Sequence, residues 1–136
     1  MTQTLFLDTS GLVAAILERE DRHAEASELY RSILRSGGRL VTTNLVLAEA
    51  HALMVRRAGI RAALDLLDDF ARDASHELVY ATSELHKAAI DRWLRPYRDH
   101  GFSLADAVSF EVMSRHRLRR ALTLDRHFRI AGFETL

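Results

Sequence analysis

The sequence predicts an α/β protein built on a parallel sheet of about five strands, with helices covering both faces. Short apolar segments of four or five residues alternate along the chain with longer segments in which apolar residues recur every three or four positions. Strands that alternate with helices form parallel sheets joined by right-handed crossovers. No linker, internal repeat or low-complexity tract interrupts the pattern, so we expect one domain over residues 1–136.

In the first half of the chain, glycines separate the predicted elements. Gly37-Gly38 and Gly59 each follow a segment of helical periodicity, as expected at helix ends. Ile60, Ala63 and Leu64 begin a helical apolar spacing that continues to Ala74. The predicted elements are a strand 4–8, helices 9–19 and 21–36, a strand 39–43 and helices 44–58 and 60–74.

In the second half, polar caps and one proline set the boundaries. Thr82 or Ser83 is suited to begin a helix and Pro96 to disrupt its end, while Gly101 separates that helix from another beginning near Ser103. The remaining predicted elements are strands 77–81 and 121–124 and a short fifth strand within 129–136.

Composition excludes several classes of protein. The chain has no cysteine, which excludes disulfides and thiolate metal sites. Its apolar runs are far shorter than a membrane span, and its first ten residues carry no basic segment typical of a signal peptide, so we expect a cytoplasmic location. The formal net charge is zero, so overall charge does not indicate nucleic-acid binding.

Four acidic residues are predicted to meet at one edge of the sheet. Asp8 ends the first strand, Glu49 lies early in the helix after the second, Asp106 is in the first turn of the helix from Ser103, and Asp125 follows the fourth strand. Functional groups gather beyond the carboxyl ends of parallel strands. Clustered carboxylates suit Mg²⁺ or Mn²⁺.

Each acid also has a structural explanation. Asp8 could cap the following helix, Ser103 and Asp106 resemble a capping box, and Asp125 could occupy a turn. Glu49 favours the functional interpretation, because it is the only charged residue between positions 44 and 55. An ionised carboxylate on an apolar helix is costly unless it is paired or binds a metal.

Four segments together resemble the PIN-domain family, and specifically its VapC-like nuclease toxins. They are FLDTSGLVA, TTNLVLAEA, FSLADAVSF and ALTLDRHF followed by AGF, and they occur in the family's order across the whole chain. The resemblance implies a three-layer PIN-like fold and Mg²⁺- or Mn²⁺-dependent endonucleolytic cleavage of RNA. It also implies a small antitoxin partner.

The resemblance also implies roles for individual residues. Asp8 and Asp106 match the acids that hold the metal most directly, Glu49 the middle acid, and Asp125 the last and most variable one. Ser10 and Thr123 match small hydroxyl residues that orient a ligand or water.

Other functions stay open at this point. One alternative is a catalytically weak PIN scaffold that binds partners, and another is a phosphoacceptor receiver domain. A receiver needs an acidic pair after the first strand and a lysine after the last, whereas the only lysine is Lys87. A dehalogenase-type phosphatase needs an aspartate where Ser10 stands.

Two further features concern partners. Arg126 and His127 could touch RNA phosphate or form an exposed turn, whereas the arginine-rich run from 115 to 120 is expected at the opposite edge of the sheet. The early helices carry more apolar residues than one sheet face needs, which together with the resemblance favours a homodimer or a groove for a partner helix. These residues are Leu12, Val13, Ile16, Leu17, Leu53, Met54 and Val55.

Overall fold

The computed structural model describes residues 3–136 and contains a parallel sheet between two layers of helices. The sheet has four strands in the order β3-β2-β1-β4, which places the first strand inside the sheet between β2 and β4. The strands are β1 (Thr4–Leu7), β2 (Arg39–Thr43), β3 (His76–Val79) and β4 (Ala121–Leu122).

The predicted fifth strand is wrong. Only Glu134 of the C-terminal segment pairs with the sheet, through a single parallel bridge to Arg120. Arg129 and Ile130 belong instead to a helix that Asp125 caps, and Gly132 turns the chain with a φ of 104°. The cap and the turn leave too few extended residues for a strand.

The helices follow the predicted order with small shifts at their ends. The first ends at Ile16, three residues before the predicted end, and the helix from Arg126 was not predicted. The helices are α1 (Thr9–Ile16), α2 (His23–Arg35), α3 (Asn44–Ala58), α4 (Ile60–Arg72), α5 (Ser83–Ala89), α6 (Leu104–Arg115) and α7 (Arg126–Ile130). None of the helices among the described residues combines the length and hydropathy needed to cross a membrane.

Alternating side chains of the strands build a separate core on each face of the sheet. Leu5 and Leu7 of β1 pack with α1–α4, whereas Phe6 points to the other face and packs with Phe110 and Phe128. This alternation follows from the two-residue repeat of a strand. Both faces are covered, as the sequence predicted, and the layers hold the strand ends in fixed positions.

A buried carboxylate joins α6 to the π-helical segment Ile90–Leu94 that continues α5. Glu111 is almost fully buried and accepts hydrogen bonds from Arg92 at 3.1 Å, Trp93 at 3.0 Å and Arg115 at 2.8 Å. Three donors offset the cost of burying this charge. The network fixes α6, whose first turn carries Asp106.

Candidate active site

The four predicted acids line one cleft at the carboxyl edge of the sheet. Asp8 and Asp125 follow β1 and β4, which are neighbours, while Glu49 and Asp106 come from α3 and α6. The cleft has a volume of about 430 Å³. These four acids, which are far apart in sequence, therefore lie in one cleft, as we expected from the positions of the strand ends.

Asp8 is the most buried of these acids and lies at the base of the group. Its Oδ2 accepts a hydrogen bond from Thr123 Oγ1 at 2.7 Å and a longer one from Ser10 Oγ at 3.4 Å. Burial raises the pKa of Asp8 to about 7, and the charges of Asp106 and Asp125 add to this rise. Asp8 occupies the N-cap position of α1, as the helix-cap explanation predicted, but its side chain makes no capping hydrogen bond to the helix.

Ser10 and Thr123 link the loop after β4 to the start of α1. Ser10 Oγ accepts from Leu124 N, and Thr123 Oγ1 accepts from Asp125 N, each at 2.9 Å. The two hydroxyls lie 3.4 Å apart. Because side chains take over these backbone donors, β4 ends at Leu122 and not at the predicted Leu124. Both hydroxyls thus position acids of the cleft.

Asp106 serves as a structural cap and also lines the cleft. Its Oδ2 accepts from Ser103 N at 3.2 Å, and Ser103 Oγ accepts from Asp106 N at 3.0 Å, which completes a capping box. The capping box and the cleft position are therefore compatible, and the cap holds the carboxylate in place.

Asp125 likewise caps a helix and lines the cleft. Its Oδ1 accepts from His127 N at 2.9 Å and caps α7, rather than lying in a plain turn. Among residues 3–136, the second oxygens of Asp106 and Asp125 have no hydrogen-bond partner. Each carboxylate therefore keeps one oxygen for a ligand.

Glu49 lies in the cleft for a different reason from the one that the sequence suggested. The buried stripe of α3 consists of Val46, Ala50 and Met54, and Glu49 lies off this stripe and is exposed. Its Oε2 accepts from Thr9 Oγ1 at 3.2 Å. Glu49 therefore does not lie in the apolar, buried setting that the sequence suggested, because the buried residues of α3 lie on other sides of the helix.

His127 is a cleft residue that sequence reasoning did not assign. Its Nδ1 lies 3.3 Å from Asp106 Oδ2 and 3.6 Å from Asp125 Oδ1, and its ring packs edge-on against Phe102. The exposed-turn explanation is wrong, since His127 is half-buried in α7. The sequence feature that could have indicated this position is the spacing of Asp125 and His127, two residues apart just after a predicted strand.

The donor atoms of Asp106, Asp125 and His127 lie within 4.8 Å of one another, which is close enough for a metal ion. Asp8 adjoins this group, and no lysine or arginine lines the cleft. None of the arginines from 115 to 120 reaches it, as predicted; Arg115 instead pairs with Glu84 and Glu111. The arrangement thus suits a divalent cation.

Comparison with known proteins identifies the family. The PIN domain model matches residues 5–134. The chain belongs to the PIN-domain family. Membership excludes the receiver and dehalogenase alternatives, and the parallel sheet flanked by helices is a PIN-like fold.

VapC proteins of Mycobacterium tuberculosis are among the relatives of this PIN domain. It is 35% identical over 125 residues to ribonuclease VapC26, covering 91% of this chain and 89% of that one. It is 31% identical over 129 residues to the 23S rRNA-specific endonuclease VapC20, covering 95% of each. The crystal structure of VapC20, a sarcin-ricin loop cleaving toxin, superposes with a TM-score of 0.84 at 30% identity and covers 95% of both chains.

Proposed function

We propose that this VapC-like PIN domain is a divalent-metal-dependent endoribonuclease, with Asp8, Glu49, Asp106 and Asp125 as its catalytic acids. The observation that carries the proposal is the convergence of these acids on one cleft. The similarity to relatives named as ribonucleases supports RNA as the substrate. Hydrolysis of a phosphodiester is the chemistry that such a carboxylate cluster serves when it holds a cation.

The donor set fits Mg²⁺, with Mn²⁺ able to substitute. Carboxylate oxygens are the preferred ligands of both ions, and the imidazole of His127 is acceptable to Mn²⁺. Asp8, Asp106 and Asp125 would hold the cation, with Glu49 at the mouth of the cleft. A bound cation would neutralise these acids, lower the pKa of a coordinated water and offset negative charge on the reacting phosphate.

The protein itself contributes a prearranged set of acids. Thr123 and Ser10 orient Asp8, the capping box orients Asp106, and the α7 cap orients Asp125. These contacts exist before substrate arrives, so little reorganisation is needed during the reaction. Asp8, at the base of the cleft, is buried and has little contact with water.

Substitution of the acids tests the proposal. Asp8→Asn or Asp106→Asn should lower the rate of Mg²⁺-dependent RNA cleavage by about a thousandfold while the folded structure persists. Asp125→Asn should be milder, because that family position is variable. The matched control is Asp65→Asn on the exposed side of α4, which should keep the wild-type rate.

Near-full activity of Asp8→Asn or Asp106→Asn would overturn the catalytic assignment. If wild-type protein cleaves no RNA with Mg²⁺ or Mn²⁺, the remaining alternative is a PIN scaffold that only binds partners. If Asp125→Asn lowers the cleavage rate more than substitution of Asp8, Glu49 or Asp106 does, the proposal that Asp125 contributes least is wrong.

A small antitoxin protein and a second copy of the chain are the proposed protein partners. Leu12, Val13 and Met54 lie in the core, so those three residues of the apolar surplus are not available to a partner. Ile16 is 40% exposed and stays available on α1. Light scattering that shows a monomer, with no small protein co-purifying from the native host, would contradict both partners.

A further inference from the structure

A second depression adjoins the acidic cleft, and we call it the arginine pocket. It has a volume of about 90 Å³, and its lining includes Arg22, Arg126 and Arg129 together with Asp125 and Leu136. Asp125 also lines the acidic cleft. The two depressions therefore share one lining carboxylate.

Two arginines of this pocket are available to an external anion. Arg22 is held by Glu25 through hydrogen bonds of 3.2 and 2.9 Å. Arg126 and Arg129 are exposed, and within residues 3–136 neither has a carboxylate at ion-pair distance. Two guanidinium groups thus face solvent beside the acids.

The fold of α7 explains why these arginines share one side. Arg126 and Arg129 are three residues apart, so they are neighbours on the helix surface. Phe128 between them is fully buried in the core and anchors the helix. Asp125 caps the same helix, which sets the position of the arginines relative to the cleft.

Charge argues for an RNA phosphate as the occupant. The cleft is lined by acids, without lysine or arginine, so it does not attract the negatively charged RNA backbone. The net charge of the chain is zero, so the protein as a whole does not attract it either. A planar guanidinium matches the oxygens of a phosphate, and arginine–phosphate pairs are among the stronger charged hydrogen bonds. Because the acidic cleft and the arginine pocket share Asp125, an RNA strand bound in the cleft would have the arginine pocket beside it.

We propose that Arg126 and Arg129 bind a backbone phosphate of the RNA strand next to the phosphate that is cleaved. This inference rests on the proposed function, since it takes RNA as the substrate. Such contacts position the strand without reading its sequence. The pocket thus adds affinity and register to a cleft that is itself acidic.

The test compares two double variants that remove the same charge. Arg126→Gln with Arg129→Gln changes the pocket, and Arg119→Gln with Arg120→Gln changes two exposed arginines near the opposite edge of the sheet. Binding of a short single-stranded RNA of mixed sequence is measured in EDTA over a range of salt. Cleavage of the same RNA in Mg²⁺ gives kcat and KM, and melting temperatures check folding.

The pocket variant should bind RNA about tenfold more weakly, and its slope of log K against log salt should fall by about 0.7, for the one phosphate that the two arginines bind. Its KM should rise with kcat little changed, while the control stays close to wild type. Equal losses in both variants, or none in the pocket variant, would overturn the inference. So would unchanged RNA binding together with weaker binding of an acidic peptide, which would assign the pocket to a protein partner.

These results are separate from the proposed function. If wild-type protein cleaves the RNA but the pocket variant matches the control, only the inference fails. If wild-type protein cleaves no RNA in Mg²⁺, the proposed function fails whatever the binding data show.

Discussion

At the scale of single residues, the Thr123 hydroxyl connects two acids of the cleft. It donates to Asp8 Oδ2 at 2.7 Å and accepts from Asp125 N at 2.9 Å. The donated hydrogen bond lowers the pKa of Asp8 against the larger effect of burial. Thr123 is itself 1% exposed, so water cannot replace the hydroxyl without rearrangement.

Replacing Thr123 by valine tests this connection. We expect the cleavage rate to fall by about tenfold, because Asp8 loses its closest orienting contact. The free energy of unfolding should fall by about 1–2 kcal/mol from the lost buried hydrogen bonds. Single-turnover cleavage and urea unfolding give the two quantities.

Thr42→Val is the matched control for this change. Thr42 is equally buried, but its hydroxyl donates to the Leu7 carbonyl oxygen at 2.7 Å and touches no acid of the cleft. It should lose stability while cleavage by folded protein is retained. Equal cleavage rates in the two variants would contradict a positioning role for Thr123.

At the scale of secondary-structure elements, the contact between α1 and β4 sets the distance between the two loops that carry Asp8 and Asp125. Gly11 allows this contact, because a Cβ added there would lie 2.0 Å from the Leu122 carbonyl oxygen. The clash is with backbone, so no side-chain movement relieves it. The helix must therefore shift if Gly11 gains a side chain.

Gly11→Ala should cost about 3 kcal/mol of unfolding free energy and also reduce cleavage by the molecules that stay folded. Gly59→Ala is a useful comparison, since nothing lies near its added Cβ but its φ of 94° strains alanine, at a cost of about 1–3 kcal/mol. Gly59 is the residue before α4 and lies outside the cleft, so its variant should keep the cleavage rate. Chemical denaturation and rates per folded molecule are compared; full activity of folded Gly11→Ala would contradict the prediction.

At the scale of the whole molecule, the fold buries the Asp8 carboxylate and places two further acids beside it, and burial is the main reason that its pKa is raised. Asp8 has a pKa of about 7 in the folded protein against 3.8 as its ordinary value. Between these values the folded state binds more protons than the unfolded state, so the free energy of unfolding falls as pH rises. The penalty is complete above the folded pKa and absent below the unfolded one.

Asp8→Asn removes this penalty and one metal ligand together. In EDTA, the variant should melt higher than wild type at pH 8, and the difference should shrink as pH falls from about 7 towards 3.8. Mn²⁺ at a hundred times its dissociation constant should stabilise wild type by about 2.7 kcal/mol and the variant much less. Melting temperatures over pH, with EDTA and with Mn²⁺, give the result, and equal metal responses would mean that Asp8 does not bind the ion.

Local patterns in the sequence were enough to predict the order of elements, the parallel sheet and the edge at which the acids meet. Apolar periodicity distinguishes strands from helices, and the carboxyl ends of parallel strands face the same way whatever the details of packing. Asp8 follows β1 directly and Asp125 lies in the loop just after β4, so their placement needed little more than the position of each strand.

Packing between distant segments determined the features that the sequence did not predict. Glu49 is exposed because other faces of α3 are buried, and His127 enters the cleft because Phe128 anchors α7 in the core. The fifth strand is reduced to one bridge because caps and a turn use the backbone groups that a strand needs. Burial and side-chain contacts depend on which elements meet in space, and a local sequence pattern does not specify which distant elements those are.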